Sequence, residues 1–287
     1  MDHPIVRVAA LSLCLAVGAC DGKPKSDAPP PASAPAGAPA TPGAAATTGT
    51  LPGLTGGGST TLTIGDPNAP KGKTGTAKIM GHVKWTGPAP EERAAPVTFP
   101  ECKDRKPIPA MKVAADGGLA NVFVYVQSGL PAGAYDLPPD PVDLHQKDCE
   151  YLPRVFGIRA GQPLIMHNDD PMLHNVHARG QGAGMSTGPN SFNVAMPVQN
   201  TRLMRKFDEP QVAVTIVCDV HPWMRSYAGV VANPFWAVTK DDGSFAIEGL
   251  PAGTYTLEFW HERQGKKTAQ VTVTDGQAAT VDLAFAP

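Results

Sequence analysis

Beyond about residue 75 the chain is a succession of short runs in which apolar and polar side chains alternate or β-branched residues cluster. "AKIMGHVKW", "ANVFVYV", "RVFGIRAG", "PLIMHN", "QVAVTIV", "AGVVA", "SFAIEGL", "TYTLEFW", "AQVTVT" and "ATVDLAF" are separated by Gly, Pro, Asp and Asn. A period of two sends alternate side chains of an extended strand into a core and into water, and the separating residues are those that turns demand. No stretch carries the period of a long amphipathic helix. With turn signals about every ten residues, the pattern predicts an all-β protein built from antiparallel sandwiches.

The pattern fails ahead of residue 75. Residues 1–20 hold a basic start at Arg7, the apolar run "VAALSLCLAVGA" and then Cys20. That run is shorter than the ~20 residues a helix needs to span a bilayer, so it reads as a signal peptide. Gly18 and Ala19 ahead of Cys20 resemble a bacterial lipobox, which implies lipidation of Cys20 and attachment to the inner or outer membrane. Residues 21–75 are dominated by Ala, Pro, Gly, Ser and Thr, without one aromatic residue. Such a segment cannot bury enough apolar surface to offset its ordering entropy, and it reads as a disordered tether with a span of roughly 40 Å. The net charge of −2 and the lack of any Lys/Arg block leave no electrostatic footprint for nucleic acid.

The C-terminal stretch carries the turn Asp242-Gly243, a strand, and then Gly249-Leu250-Pro251-Ala252-Gly253-Thr254-Tyr255. It resembles the second half of a carboxypeptidase regulatory-like domain, a transthyretin-type β-sandwich. "GHVKWTGPAP" and "DGGLANVFVYV" resemble the opening strands of the same family. The expectation is a sandwich split between residues 76–128 and 237–287, with a second domain inserted at 129–236. The competing division is a single domain over 76–236 with a small C-terminal appendix.

Chemistry concentrates in "IVCDVHPWM", where Cys218, His221 and Met224 stand three residues apart after an apolar run. A thiolate, imidazoles and a weak thioether suit both Cu(I) and Cu(II), and C-x2-H-x2-M lets one tight loop supply three ligands. A second strand must bring the remaining histidine. Upstream, an apolar strand is followed by Asn168, Asp169, Pro171 and then His174-Asn175-Val176. The two motifs resemble, in order, the ligand loops of cupredoxins, plastocyanin and above all amicyanin. The resemblance covers about residues 141–232. It implies a Greek-key sandwich holding one type 1 copper, with His174, His221 and Cys218 equatorial, Met224 axial and Asn175 bracing the two ligand loops. Asp219-Val220 departs from the Thr-Pro of amicyanin-like loops.

With Cys14 in the signal, Cys20 lipidated and Cys218 on metal, Cys102 and Cys149 are left to pair in an oxidising compartment. By resemblance the protein is an electron carrier and not an enzyme, located in the periplasm or cell envelope. Pro222, Trp223, Met172 and Leu173 would form the docking patch for c-type cytochromes or a periplasmic dehydrogenase. Two further readings keep the copper but change its use: copper storage and delivery, or a non-redox binding module with a structural copper. His177 and the methionines at 166, 172, 185, 196 and 204 invite a second Cu(I) site, although scattered methionines more often fill cores. His82, His145, His167 and His261 lack ligand-like spacing and read as structural or exposed.

Overall fold

The computed structural model describes residues 70–88, 90–91, 99–180 and 188–287. The signal segment with Cys20, the tether up to residue 69 and Met185 lie outside the described residues. The described residues are almost wholly β, with a single 3-10 turn at Pro100–Cys102. In chain order the strands are β1 (Ala77–Trp85), β2 (Phe123–Ser128), β3 (Val142–Lys147), β4 (Glu150–Leu152), β5 (Val155–Arg159) and β6 (Pro163–Asn168). They continue as β7 (His174–Arg179), β8 (Phe192–Met196), β9 (Thr201–Lys206), β10 (Gln211–Val217), β11 (Arg225–Val231) and β12 (Trp236–Val238). The last are β13 (Ser244–Leu250), β14 (Gly253–His261), β15 (Gly265–Val273), β16 (Ala278–Thr280) and β17 (Leu283–Phe285).

These strands make two sandwiches. In one, β1 lies between β13 and β16 and also pairs β17, and the facing sheet runs β12-β2-β14-β15. Strands from before residue 129 and after residue 235 therefore share both sheets. In the other, β5-β11-β10-β7-β8 faces β4-β3-β6-β9. Alternation decides which way each strand faces. Ala77, Ile79 and Val83 of β1 point inward onto Phe245, Ile247, Leu257 and Phe259, while Leu144, Leu164, Met166, Val176 and Ile216 fill the second core. Burying each large apolar side chain contributes about 1.5–3 kcal/mol. The apolar pattern did not mark β3, β8 or β9: β3 turns the polar Gln146 inward, and four of the six residues of β9 are exposed, among them Met204.

A third apolar cluster joins the sandwiches, with Phe123, Val155, Val231 and Trp260 at its centre. Gly157 and Gly229 are side by side in the parallel pairing of β5 with β11. Together they leave a flat patch on that sheet. The rings of Trp236 and Phe123, 5.8 Å apart, lie on it. A Cβ at Gly157 would come within 2.4 Å of the Trp236 ring and one at Gly229 within 2.3 Å of Phe123, so only glycine permits this approach. Beside the cluster, Arg154 grips Glu262 through two hydrogen bonds of 2.8 and 2.7 Å with both side chains buried. Removing either partner would strand a buried charge.

His261 is fully buried next to that pair. Its Nδ1 accepts from the Arg263 backbone N–H at 3.2 Å. Burial, reinforced by Arg154 and Arg263 against the opposing Glu262, pushes its pKa from 6.5 down to about 4.

Gly229→Val should lower the thermal midpoint by separating the aromatic rings from the sheet. Overpacking of this kind costs about 1–3 kcal/mol or more, and each kcal/mol corresponds to roughly 2–4 °C in a domain of this size. An unchanged midpoint in a scanning calorimeter would show that the rings do not rest on the glycines. Between pH 6.5 and about 4 the unfolded chain protonates at His261 while the folded chain does not, so stability falls as pH drops through this window. The contribution reaches roughly 3 kcal/mol. The stability difference between the natural protein and His261→Gln should therefore change across that window; a constant difference from pH 7 to 4 would refute a neutral buried His261.

Candidate metal centre

β7 and β10 are antiparallel neighbours, with His177 opposite Val217. Continued past the end of β10, this register brings the start of β7 beside residues 218–219. His174 is the first residue of β7 and not part of a loop. Cys218 follows β10 directly, and the chain then turns tightly: Met224 N–H donates to His221 O at 2.9 Å, and Cys218 N–H approaches Met224 O at 3.4 Å. His174, Cys218, His221 and Met224 are all at most 2% exposed.

The turn aims the donors at one point. One ligand atom each from His174, Cys218 and His221 lies within 4.8 Å of the others. The Nδ1 atoms of His174 and His221 are 2.9 Å apart, and Cys218 Sγ is 3.7 Å from His221 Nδ1. Met224 packs in the same apolar cluster as Cys218. Burial alone would raise the Cys218 thiol, but hydrogen bonds from His174 and His221 outweigh it and bring its pKa down to about 6. The thiolate, the form that binds metal, is thereby favoured near neutral pH.

Asn175 fastens the two segments together. Its Oδ1 accepts from Asp219 N–H at 2.7 Å and lies 3.3 Å from Cys218 Sγ. Its Nδ2 donates to Asn193 and Asp219, and its carbonyl accepts from the buried Tyr151 hydroxyl. The Asp219 carboxylate is turned toward His177, Arg179 and Asn193. Its charge is met there, outside the cluster.

Asp170 was not marked by sequence reasoning. Its carboxylate is 2.8 Å from Nε2 of His174, on the far side of the ring from the donor cluster, and accepts from the Asp148 and Cys149 backbone N–H groups at 2.8 and 2.9 Å. Burial pushes the Asp170 carboxyl up, but these donors hold it below the usual range. Burial likewise pulls His174 down, yet Asp170 and Cys218 raise it above its ordinary value. Asn168 builds the turn, accepting from Asp170 N–H and donating to Met172 O and Met196 O. The available signal was "NDDP", a turn in which the second aspartate stands four residues before His174.

A second unmarked element covers His221. Cys102 and Cys149 form a disulfide that ties the Pro100–Cys102 turn to the β3–β4 connection. Phe99, at the edge of that turn, packs edge-on against His221 with centroids 4.7 Å apart and against Trp223 at 6.0 Å. Trp223 Nε1 donates to Cys149 O at 3.0 Å, and the Arg105 guanidinium lies over the indole at 4.9 Å. Of the residues expected at a docking patch, Pro222 and Leu173 are exposed, whereas Trp223 and Met172 are half-buried. The Met172 sulfur sits 3.7 and 3.9 Å from the disulfide sulfurs.

Among the described methionines, Met166 and Met196 pack with Met224 in the same core cluster. Met166 and Met196 are fully buried in the core and Met204 is 53% exposed. His82 is exposed beside Asp282. His145 and His167, distant in sequence, are brought side by side by the parallel pairing of β3 with β6.

The family model of the carboxypeptidase regulatory-like domain matches residues 227–286. Amicyanin of Paracoccus versutus is 28% identical to this chain over 113 residues, 39% of this chain and 82% of that protein. The crystal structure of that amicyanin aligns with 24% identity and a TM-score of 0.28, covering 38% of this chain and 97% of that one. A copper-containing nitrite reductase from Thermus scotoductus SA-01 aligns with 21% identity and a TM-score of 0.29, and covers 37% of this chain. The alignment takes in only 26% of the reductase. The chain is thus similar to amicyanin over one part and matches the carboxypeptidase regulatory-like domain over another.

Proposed function

We propose that the buried cluster holds a single copper ion and that the protein carries one electron at a time between redox partners in the cell envelope. The observation that carries this reading is the convergence of Cys218 Sγ with Nδ1 of His174 and His221 inside a dry cluster. A depressed thiol and two imidazoles form a donor set suited to both Cu(I) and Cu(II). Copper, when bound, supplies a one-electron couple.

The protein's own residues supply rigidity and insulation. Asp170 fixes the His174 ring through Nε2 and leaves Nδ1 free to ligate, a carboxylate–histidine arrangement that raises ligand basicity. Asn175 holds the Cys218 segment to β7. Met224, buried beside Cys218, would offer its thioether as a further ligand in this reading. With the donors buried and fixed before metal arrives, little has to move as charge changes. Donors this deeply buried would offer a substrate little access, so electron carriage fits the cluster better than catalysis.

Electrons would enter or leave through the His221 ring and the Phe99 and Trp223 rings in contact with it. Exposed Pro222 and Leu173 then form the outer docking surface, with half-buried Trp223 and Met172 behind it. Partners in this reading are c-type cytochromes or a periplasmic dehydrogenase. Lipidation at Cys20 and the tether read at 21–75, whose last residues are hydrogen-bonded to the head through Gly72–Ala134 and Gly75–Gly249, would hold the head near a membrane while letting it range. The regulatory-like sandwich, divided between 76–128 and 237–287 around a copper domain at 129–236, would serve as a rigid support. The buried Arg154–Glu262 pair and the glycine patch favour that role.

Addition of Cu(II) to the protein should produce intense visible absorption that reductant bleaches and that Cys218→Ser lacks. Absence of colour in the natural protein, with copper bound, would rule out a thiolate-ligated site of this type. Asp170→Asn keeps the shape but removes the charge behind His174. It should weaken copper about 10–100-fold, measured by competition with a chelator. Unchanged affinity would mean that Asp170 does not act through the ligand.

A further inference from the structure

On the outer face of the β4-β3-β6-β9 sheet, far in sequence from the Cys218 loop, a second group of donors is assembled by strand pairing. β3 and β6 run parallel with His145 opposite His167, and their rings stack at 4.2 Å with planes 8° apart. Each ring has its own carboxylate: His145 Nδ1 is 2.7 Å from Asp169 Oδ2, and His167 Nε2 is 2.7 Å from Asp143 Oδ1. One ligand atom each from Asp143, His145 and His167 lies within 4.8 Å of the others. The side chains are open to water, from 14% exposed at His167 to 49% at Asp143.

We propose that Asp143, His145 and His167 form a surface site for a divalent transition-metal ion, with Asp169 as the residue that positions His145. Asp169 occupies Nδ1 of His145 and leaves Nε2 for the ion. That is the arrangement that fixes the tautomer of metal-binding histidines. Two parallel ring planes cannot both contain one ion, so the His167 ring would turn out of the stack while Asp169 holds His145. Asp143 and His167 Nε2 would open from 2.7 Å by about half an ångström to admit an ion with ligand bonds near 2.0–2.1 Å. Three protein ligands of mixed imidazole and carboxylate type fit Zn(II) or Cu(II), with water completing the shell. The two carboxylates supply compensating charge, while Arg202, opposite His167 on β9, marks the edge of the site. The two histidines, 22 residues apart, lack the i, i+2 or i, i+3 spacing of a His-His ligand motif. Only the register of the parallel pair brings them together.

Zinc titration followed by calorimetry tests the site on the natural protein and on His145→Ala, His167→Ala and Asp169→Asn. Each alanine variant should bind one equivalent fewer than the natural protein, and Asp169→Asn should bind that equivalent about tenfold or more weakly. The ring C–H resonances of His145 and His167 should shift on zinc addition. Cys218→Ser should leave this equivalent in place, so the outcome is separate from that of the buried copper site. Natural stoichiometry and affinity in both alanine variants, or unmoved ring resonances of the natural protein, would overturn the proposal.

Discussion

The antiparallel contact between β7 and β10 is the constraint on which the centre depends. It brings His174 to the Cys218–Met224 turn across 44 or more residues of chain, and the Asn175–Asp219 hydrogen bond pins the two where the ladder ends. Loop closure over such a distance is unfavourable until many contacts form together. The core beneath, with Met166, Val176, Ile216 and Cys218 in one cluster, supplies those contacts. Packing and the placement of the donor atoms are therefore the same problem. A shift of one residue in this register would turn His174 to the other face of the sheet.

Around that contact, the buried carboxylates of Asp170 and Glu150 each face donors. Asp170 sits between His174 and two backbone N–H groups, so its negative charge is met on every side the structure presents. Arg105 pairs with Glu150 at 2.7 Å and stacks on Trp223, which keeps the cover over His221 in place without an uncompensated charge. The disulfide adds a covalent link from the same cover to the backbone that holds Asp170. Ligand orientation, cover and disulfide are consequently one connected set of contacts, a compact means of keeping water from the donors.

The same economy governs the joint between sandwiches. Two glycines give up side-chain packing on one sheet so that Phe123 and Trp236 can lie flat against it. Arg154 and Glu262 then pair at the margin. A buried ion pair contributes little net stability but penalises other dockings. Register at the joint follows from shape and charge together.

Sequence alone determined the β character of the chain, because alternation and turn residues act locally and need no partner to be legible. It also exposed Cys218, His221 and Met224, which share one loop, and it pointed to His174 through the motif that follows a strand. The core strands such as β1, β10 and β14 were readable for the same reason, whereas β3 and β9 were not, since buried Gln146 and exposed Met204 break the period. Only the tertiary structure decided what distant segments bring: Asp170 behind His174, Phe99 over His221 and the pairing of His145 with His167. These are contacts across sheets or connections, set by register and packing, and nothing in the local residue order encodes a register between strands 22 residues apart such as His145 and His167.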